Sequence, residues 1–156
     1  MPPLRGGVSN QRIVCLVACQ YDRIYSVIKP IGQIIIPAGV EPESQEIKAA
    51  NVFAGLGETV CFVKPENRNR VKSADVKLYG KIWEIKSPIS DKMVAVERNL
   101  KKATKQSSRI IFDCRRMKKI PSFKIRREVE RQLKRSKAID EIIFIDKHGK
   151  TIDFKK

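Results

Sequence analysis

The chain has 156 residues, enough for one domain with a hydrophobic core, and 42% of them are hydrophobic, which excludes a largely disordered chain. Lysine and arginine outnumber aspartate and glutamate by 33 to 17, and the formal charge of +16 favours a polyanionic partner such as RNA or DNA. No apolar run approaches the roughly 20 residues of a membrane helix and the first residues lack a signal peptide's hydrophobic region, so we expect no membrane partner and a cytoplasmic site of action.

The first 40 residues are predicted to be an N-terminal extension of strands ahead of a domain over residues 41–156. Residues 12–19 and 31–38 are short runs rich in β-branched side chains, which favour strands. Glycine and proline at positions 39–42 interrupt regular structure and mark the boundary. The extension carries no cluster of reactive side chains, so we expect the function in residues 41–156.

Three helices are predicted in this domain. The first covers residues 41–57, and Glu46 in its first turn is either an acid favoured by the helix dipole or a group that faces the site. The second is expected to run from an N-cap at Ser90 to about Gln106, and the third to begin at an N-cap at Ser122.

The strands complete an α/β (α+β) pattern. Residues 60–63 and 109–114 are predicted strands, and residues 141–154 a closing hairpin. With a hairpin over residues 73–90, the order is helix, strand, strand, strand, helix, strand. We expect a central mixed sheet flanked by helices, followed by a C-terminal helix and β-hairpin.

The hairpin over residues 73–90 places acidic side chains together. Apolar and charged residues alternate on both sides of Tyr79 and Gly80, which is typical of two half-buried strands joined by a two-residue turn. This register sets Asp75 opposite Glu84, with side chains roughly 5 Å apart. Lys86 projects from the same face as Glu84 because it lies two residues further along the strand.

Two opposed carboxylates need compensation by a divalent cation, a shared proton or a nearby lysine. We therefore predict that Asp75 and Glu84 bind a divalent metal, Mg²⁺ by preference, and that Lys86 is an electrostatic catalyst of phosphodiester cleavage. The alternative interpretation is a solvated strand face, because an E-x-K triplet is common in a chain so rich in lysine.

Basic residues are concentrated in the loop over residues 64–72 and in residues 115–137, where eleven Lys and Arg face two Glu. We expect contacts to a nucleic acid backbone from these segments and from the second helix. The predicted nucleic-acid-binding residues are Arg68, Arg70, Lys72, Lys102, Lys105, Arg115, Arg116, Lys118, Lys119, Arg126 and Arg127.

The element order and the placement of the acids resemble the core of the PD-(D/E)xK nuclease superfamily, a restriction-endonuclease-like α-β-β-β-α-β arrangement. The residues at the matching places are Glu46, Asp75, Glu84, Lys86 and Gln106. The superfamily often has a His-Glu pair on the first helix, where this chain has glutamine followed by glutamate.

The stretch GKIWEIKSP with the later KKATKQ is still more similar to the nuclease domains at the C-termini of contact-dependent growth inhibition toxins, many of which are tRNases. The resemblance covers about residues 36–155. It implies a toxin-type nuclease acting on tRNA, with Glu46 as an auxiliary ligand, Gln106 as a positioning group and an acidic immunity protein as a partner.

Other functions remain open at this point. A non-catalytic protein that coats RNA or DNA, alone or within a ribonucleoprotein particle, would share the charge and lack turnover. A DNase would use the same acids and lysine. A metal-independent RNase of the barnase, EndoU, colicin and RelE type would have paired helices before a four-strand meander, which fits the predicted order less well.

Overall fold

The structure is a computed structural model that describes residues 31–64 and 73–156. The strand predicted at residues 12–19 and three of the predicted nucleic-acid-binding residues, Arg68, Arg70 and Lys72, lie outside the described residues.

The described residues form one mixed seven-stranded sheet, in which the strands follow each other in chain order. The elements are β1 (Ile34–Ile35), α1 (Ser44–Gly55), β2 (Val60–Phe62), β3 (Val76–Leu78), β4 (Lys81–Lys86), α2 (Val94–Ala103), β5 (Arg109–Asp113), α3 (Ser122–Arg135), β6 (Glu141–Ile145) and β7 (Thr151–Lys155). Strands β4, β5 and β6 are parallel, and β3 and β7 run antiparallel to their neighbours. The predicted α-β-β-β-α-β order and the C-terminal helix and hairpin are confirmed.

The turn between β3 and β4 has the predicted length of two residues. Tyr79 and Gly80 have φ angles of 53° and 72°, and positive values at both central positions are the signature of a type I′ turn. The turn sets Val76 opposite Trp83. The register therefore agrees with the alternation of apolar and charged residues in the sequence.

The sheet has an apolar core on each face. Alternate residues of β5 show the division, because Ile110 packs in the cluster that includes Leu100 of α2 and Ile125 of α3. The next residue, Ile111, packs in the other cluster with Phe53 of α1. Helices α2 and α3 thus cover one face and α1 covers the other. None of the helices in the described part of the chain combines the length and apolar character that crossing a membrane requires.

Two helices begin at other residues than the predicted caps. Helix α2 starts at Val94 with Met93 at its N-cap. Asp91, two residues before this cap, accepts the backbone N–H of Lys119 at 2.8 Å. Helix α3 starts at Ser122 itself, whose hydroxyl is close to Lys147 N–H (3.3 Å). In both segments side-chain acceptors bind distant backbone, which a local capping pattern does not foresee.

Candidate active site at the β3–β4 hairpin

The carboxyl group of Asp75 is held against β4. Its Oδ2 accepts the backbone N–H of Ile85 at 2.7 Å, while its own backbone N–H donates to the carbonyl of Trp83 at 3.1 Å. The recorded strand pairing ends at Val76 and Trp83. Asp75 and Glu84 are the next residues beyond this pair, and their carboxyl groups lie close enough to interact. The structure thus brings together the acid pair expected from the sequence.

Glu84 is fully buried, because β4 is covered on both faces. It pairs with Ile110 of the neighbouring strand, which belongs to the apolar cluster under α2 and α3, and its relative exposure is 0%. Its Oε1 forms an ion pair with Nζ of Lys86, whose side chain keeps 21% of its exposure. The Lys86 amine therefore contacts the buried carboxylate of Glu84 while part of the Lys86 side chain remains exposed to solvent.

The second oxygen of this carboxylate, Glu84 Oε2, is buried and has no hydrogen-bond partner among the described residues. A buried acceptor without a donor costs free energy, on the order of 1–3 kcal/mol. Asp75 relieves the cost only when one of the two carboxyl groups carries a proton. The pair is therefore suited to a proton or to a ligand that approaches from outside.

The same surroundings set the titration of the pair. Burial raises the pKa of Glu84 to about 7, the hydrogen bond from Lys86 works against this rise, and the charge of Asp75 adds to it. Burial also raises the pKa of Asp75, against the hydrogen bond from Ile85 N–H. A carboxylic acid with a pKa near neutrality in contact with a lysine is a frequent feature of catalytic sites.

Glu46 lies at the start of α1, which packs on the face opposite to Glu84. Its carboxylate accepts the backbone N–H of Glu43 at 2.9 Å and so caps the helix. Burial raises the pKa of Glu46, the Glu43 hydrogen bond lowers it, and the nearby charge of Asp75 raises it further. Glu46 thus lies close enough for the charge of Asp75 to affect its pKa, and it also caps α1.

Gln106 lies in the turn after α2 rather than on the helix, which ends at Ala103. Its side-chain amide is 3.3 Å from the carbonyl oxygen of Ser73, two residues before Asp75. The contact ties the segment that leads into β3 to the end of α2. This geometry suits the positioning role that the resemblance implies for Gln106.

Asp75 and Glu84 carry the oxygen ligands that a hard divalent cation prefers. The part of the chain that the structure describes has no cluster of three or more His, Cys, Asp or Glu side chains arranged to bind a metal. Magnesium, however, is usually held by one or two carboxylates together with waters and substrate phosphates. Asp75 and the unpartnered Oε2 of Glu84 provide such a pair.

The predicted nucleic-acid-binding residues within the described ranges divide into two groups. Arg115 is engaged inside the protein, because its guanidinium donates to both oxygens of Asp113 and to the carbonyl of Lys48. Arg116 donates to the carbonyl of Ser87 at 3.1 Å. The remaining residues are exposed: Lys102, Lys105, Lys118, Lys119, Arg126 and Arg127.

Sequence reasoning missed Asp113 and Ser87. Asp113 is only 2% exposed and ends β5, so an acid at the end of an apolar strand was the available signal. Ser87 directly follows Lys86 and its hydroxyl oxygen is buried, but its neighbours come from a distant segment. No pattern in the sequence joins those positions.

Residues 72–151 match the family described as Contact-dependent growth inhibition CdiA C-terminal domain. The match spans just over half of the chain and includes Asp75, Glu84 and Lys86, whereas Glu46 lies outside it. Among solved structures, the CdiA-CT/CdiI toxin and immunity complex from Burkholderia pseudomallei has a similar fold, with a TM-score of 0.53 and 18% sequence identity over 77% of this chain and 92% of that chain. No curated protein matches the sequence.

Proposed function

This chain belongs to the family of contact-dependent growth inhibition CdiA C-terminal domains, and from that premise we propose that it is a toxin-type nuclease that cleaves RNA, with tRNA as its substrate. The observation that carries the proposal is the buried carboxylate of Glu84, which lies between the carboxyl group of Asp75 and the amine of Lys86. We place its site of action in the cytoplasm of a target cell, where tRNA is found.

Each of the three groups has a distinct role. Asp75 and Glu84 provide the negative charge that binds a divalent cation, and a bound Mg²⁺ supplies Lewis-acid stabilisation of the phosphate. Lys86 stabilises the attacking oxygen or the charge that develops on the phosphoryl oxygens, because its ammonium group is partly exposed beside Glu84. The ion pair with Glu84 holds the Lys86 amine in place.

RNA is favoured over DNA by the resemblance to toxin domains that are often tRNases, and the charge of +16 suits either nucleic acid. The exposed lysines and arginines of α2, α3 and the segment between β5 and α3 supply contacts to a sugar-phosphate backbone. These contacts bind without reading sequence, so the choice of substrate depends on the shape of the RNA.

The partner we propose is an acidic immunity protein. The solved relative in fold is a complex of a toxin with its immunity protein. A protein with 33 basic and 17 acidic side chains attracts an acidic partner at long range, and this partner competes with nucleic acid for the basic surface. Neutralisation of the toxin is then expected to weaken as the ionic strength rises.

The test is incubation of the purified chain with total tRNA and with plasmid DNA, each with Mg²⁺ and with a chelator. We expect cleavage of tRNA with Mg²⁺, and loss of that cleavage in Lys86→Ala and Glu84→Gln. Lys77→Ala is the matched control, because Lys77 is an exposed lysine on the other strand of the same hairpin. Binding of tRNA without cleavage by the parent protein would contradict the proposal and indicate a non-catalytic binding protein.

A further inference from the structure

A cavity lies at the carboxyl ends of β4 and β5, and Ser87, the residue after Lys86, is part of its lining. Its volume is about 210 Å³, and it is open enough to admit a small ligand with several waters. It is lined by side chains from α1, from the segment after β4 and from the segment that begins at the end of β5: Lys48, Ser87, Asp113, Arg115, Arg116 and Lys118. We refer to it as the β4–β5 pocket.

The charge of the β4–β5 pocket is strongly positive. Four of its residues are cationic, and Asp113 is the only acid among the lining residues. That acid is neutralised within the protein, because Arg115 donates to both of its oxygens, at 2.7 Å in the shortest contact. Lys48, Arg116 and Lys118 therefore remain as cations without an acidic partner in the pocket.

Arg115 also shapes the pocket. The same guanidinium donates to the carbonyl of Lys48 at 2.8 Å and so joins the end of β5 to α1. Burial acts against the charge of this guanidinium, but its pKa is raised by the hydrogen bonds to Asp113. Arg115 thus has a structural role, because it fixes the end of β5 relative to α1. The other cationic side chains of the pocket remain available to bind an anion.

Ser87 presents a polar group that the described residues leave unused. Its Oγ is buried and has no hydrogen-bond partner there, while its carbonyl accepts Arg116 Nη1 at 3.1 Å. A buried hydroxyl without a partner is unfavourable, and a phosphate oxygen would accept a hydrogen bond from it. The guanidinium of Arg116 is held at the same place and keeps further N–H donors free for an anion.

We propose that the β4–β5 pocket binds a phosphate group of the nucleic acid strand beside the phosphate that is cleaved. Ser87 directly follows Lys86, so the pocket and the hairpin site share one stretch of backbone, with Cα atoms about 3.8 Å apart. That the phosphate belongs to a nucleic acid rests on the proposed function, whereas the binding of a phosphate group by the pocket does not. A phosphate fixed here would bring the neighbouring phosphodiester to the end of β4, where Lys86 lies.

The first arm of the test is a titration of the isotopically labelled protein with inorganic phosphate, followed by amide NMR, with chloride at equal ionic strength as the control. We expect saturable shifts at Ser87 and Arg116. Lys118→Gln removes an exposed cation and is expected to weaken the binding of phosphate about tenfold. Lys137→Gln is the matched control and should leave it unchanged, because Lys137 is an exposed lysine just before β6, at the opposite ends of the parallel strands.

Ser87→Ala separates binding from folding. Because the Ser87 hydroxyl is unpartnered, its removal should leave the melting temperature unchanged or higher without phosphate, and should weaken phosphate binding. A lower melting temperature without phosphate would show that the hydroxyl is engaged inside the protein, which would overturn its assignment to the ligand.

The second arm uses tRNA. Arg116→Gln and Lys118→Gln should raise KM about tenfold with kcat within about threefold, and each should reduce the salt dependence of binding by about one ion. Shifts with phosphate but unchanged KM and no shift of the same amides with RNA would indicate an adventitious ion only and overturn the proposal. Phosphate binding in a protein that cleaves no nucleic acid would instead contradict the proposed function and leave the pocket standing as a phosphate site.

Discussion

Asp75 and Ile85 are joined across the hairpin by a hydrogen bond of 2.7 Å, from the backbone N–H of Ile85 to Oδ2 of Asp75. Because Ile85 lies between Glu84 and Lys86, this bond fixes the acid of one strand against the E-x-K triplet of the other. The bond fixes the end of the strand, and it leaves the other carboxylate oxygen of Asp75 available for the role proposed above.

Replacement of Asp75 by asparagine separates these two roles. Asp75→Asn keeps an acceptor for Ile85 N–H and removes the charge, so we expect a fold stable to within about 1 kcal/mol of the parent. Cleavage should fall by about 100-fold or more, because the acid pair is lost. Rates on tRNA and the melting temperature check the two parts, and retained cleavage would exclude Asp75 from the reaction.

The titration of Glu84 predicts a dependence of stability on pH. Its pKa is about 7 in the folded protein against an ordinary value of 4.5, so over this interval the folded state retains a proton that the unfolded chain has lost. Stability from this group is therefore full below about pH 4.5 and is lost as the pH rises through 7. The side-chain amide that Glu84→Gln introduces does not titrate. We therefore expect the difference in free energy of unfolding, variant minus parent, to increase by up to about 3 kcal/mol from pH 5 to pH 8. Urea unfolding at both pH values measures the gain, and a difference independent of pH would contradict the assignment.

Magnesium should oppose this loss of stability. At about pH 8 both carboxylates are ionised and repel each other, so we expect Mg²⁺ to raise the melting temperature by about 3 °C or more. At about pH 5 protons compete with the ion, and the rise should be smaller. Sodium chloride at equal ionic strength and the Glu84→Gln variant serve as controls. An equal rise in Glu84→Gln would place the ion elsewhere.

The ion pair of Arg115 with Asp113 predicts a stability effect away from the hairpin. Arg115→Gln leaves a carboxylate that is 2% exposed without its guanidinium, and we expect a loss of about 2–4 kcal/mol in the free energy of unfolding. Arg126→Gln removes an exposed arginine of the same basic segment and should change it by less than about 0.5 kcal/mol. Equal midpoints of urea unfolding for the two variants would refute the bracing role of Arg115.

In the basic segment over residues 115–137, charge alone does not predict which side chains are available to bind nucleic acid. The sequence predicted one surface for nucleic acid, and the structure assigns Arg115 to an internal ion pair while Lys118 stays exposed. The two residues are three positions apart and have similar chemistry. What separates them is Asp113, whose burial requires a partner.

The sequence by itself determined the hairpin, its register and the order of the elements, because these follow from local alternation, a two-residue turn and helical periodicity. It also predicted that Asp75 and Glu84 lie close together, as they do in the structure. Tertiary structure decided how deeply Glu84 is buried, which contacts Glu46 and Arg115 make, and that Ser87 meets Arg116 in a pocket. Burial and long-range contacts depend on how helices pack on the sheet, and a local pattern contains no information about the neighbour that arrives from the other end of the chain.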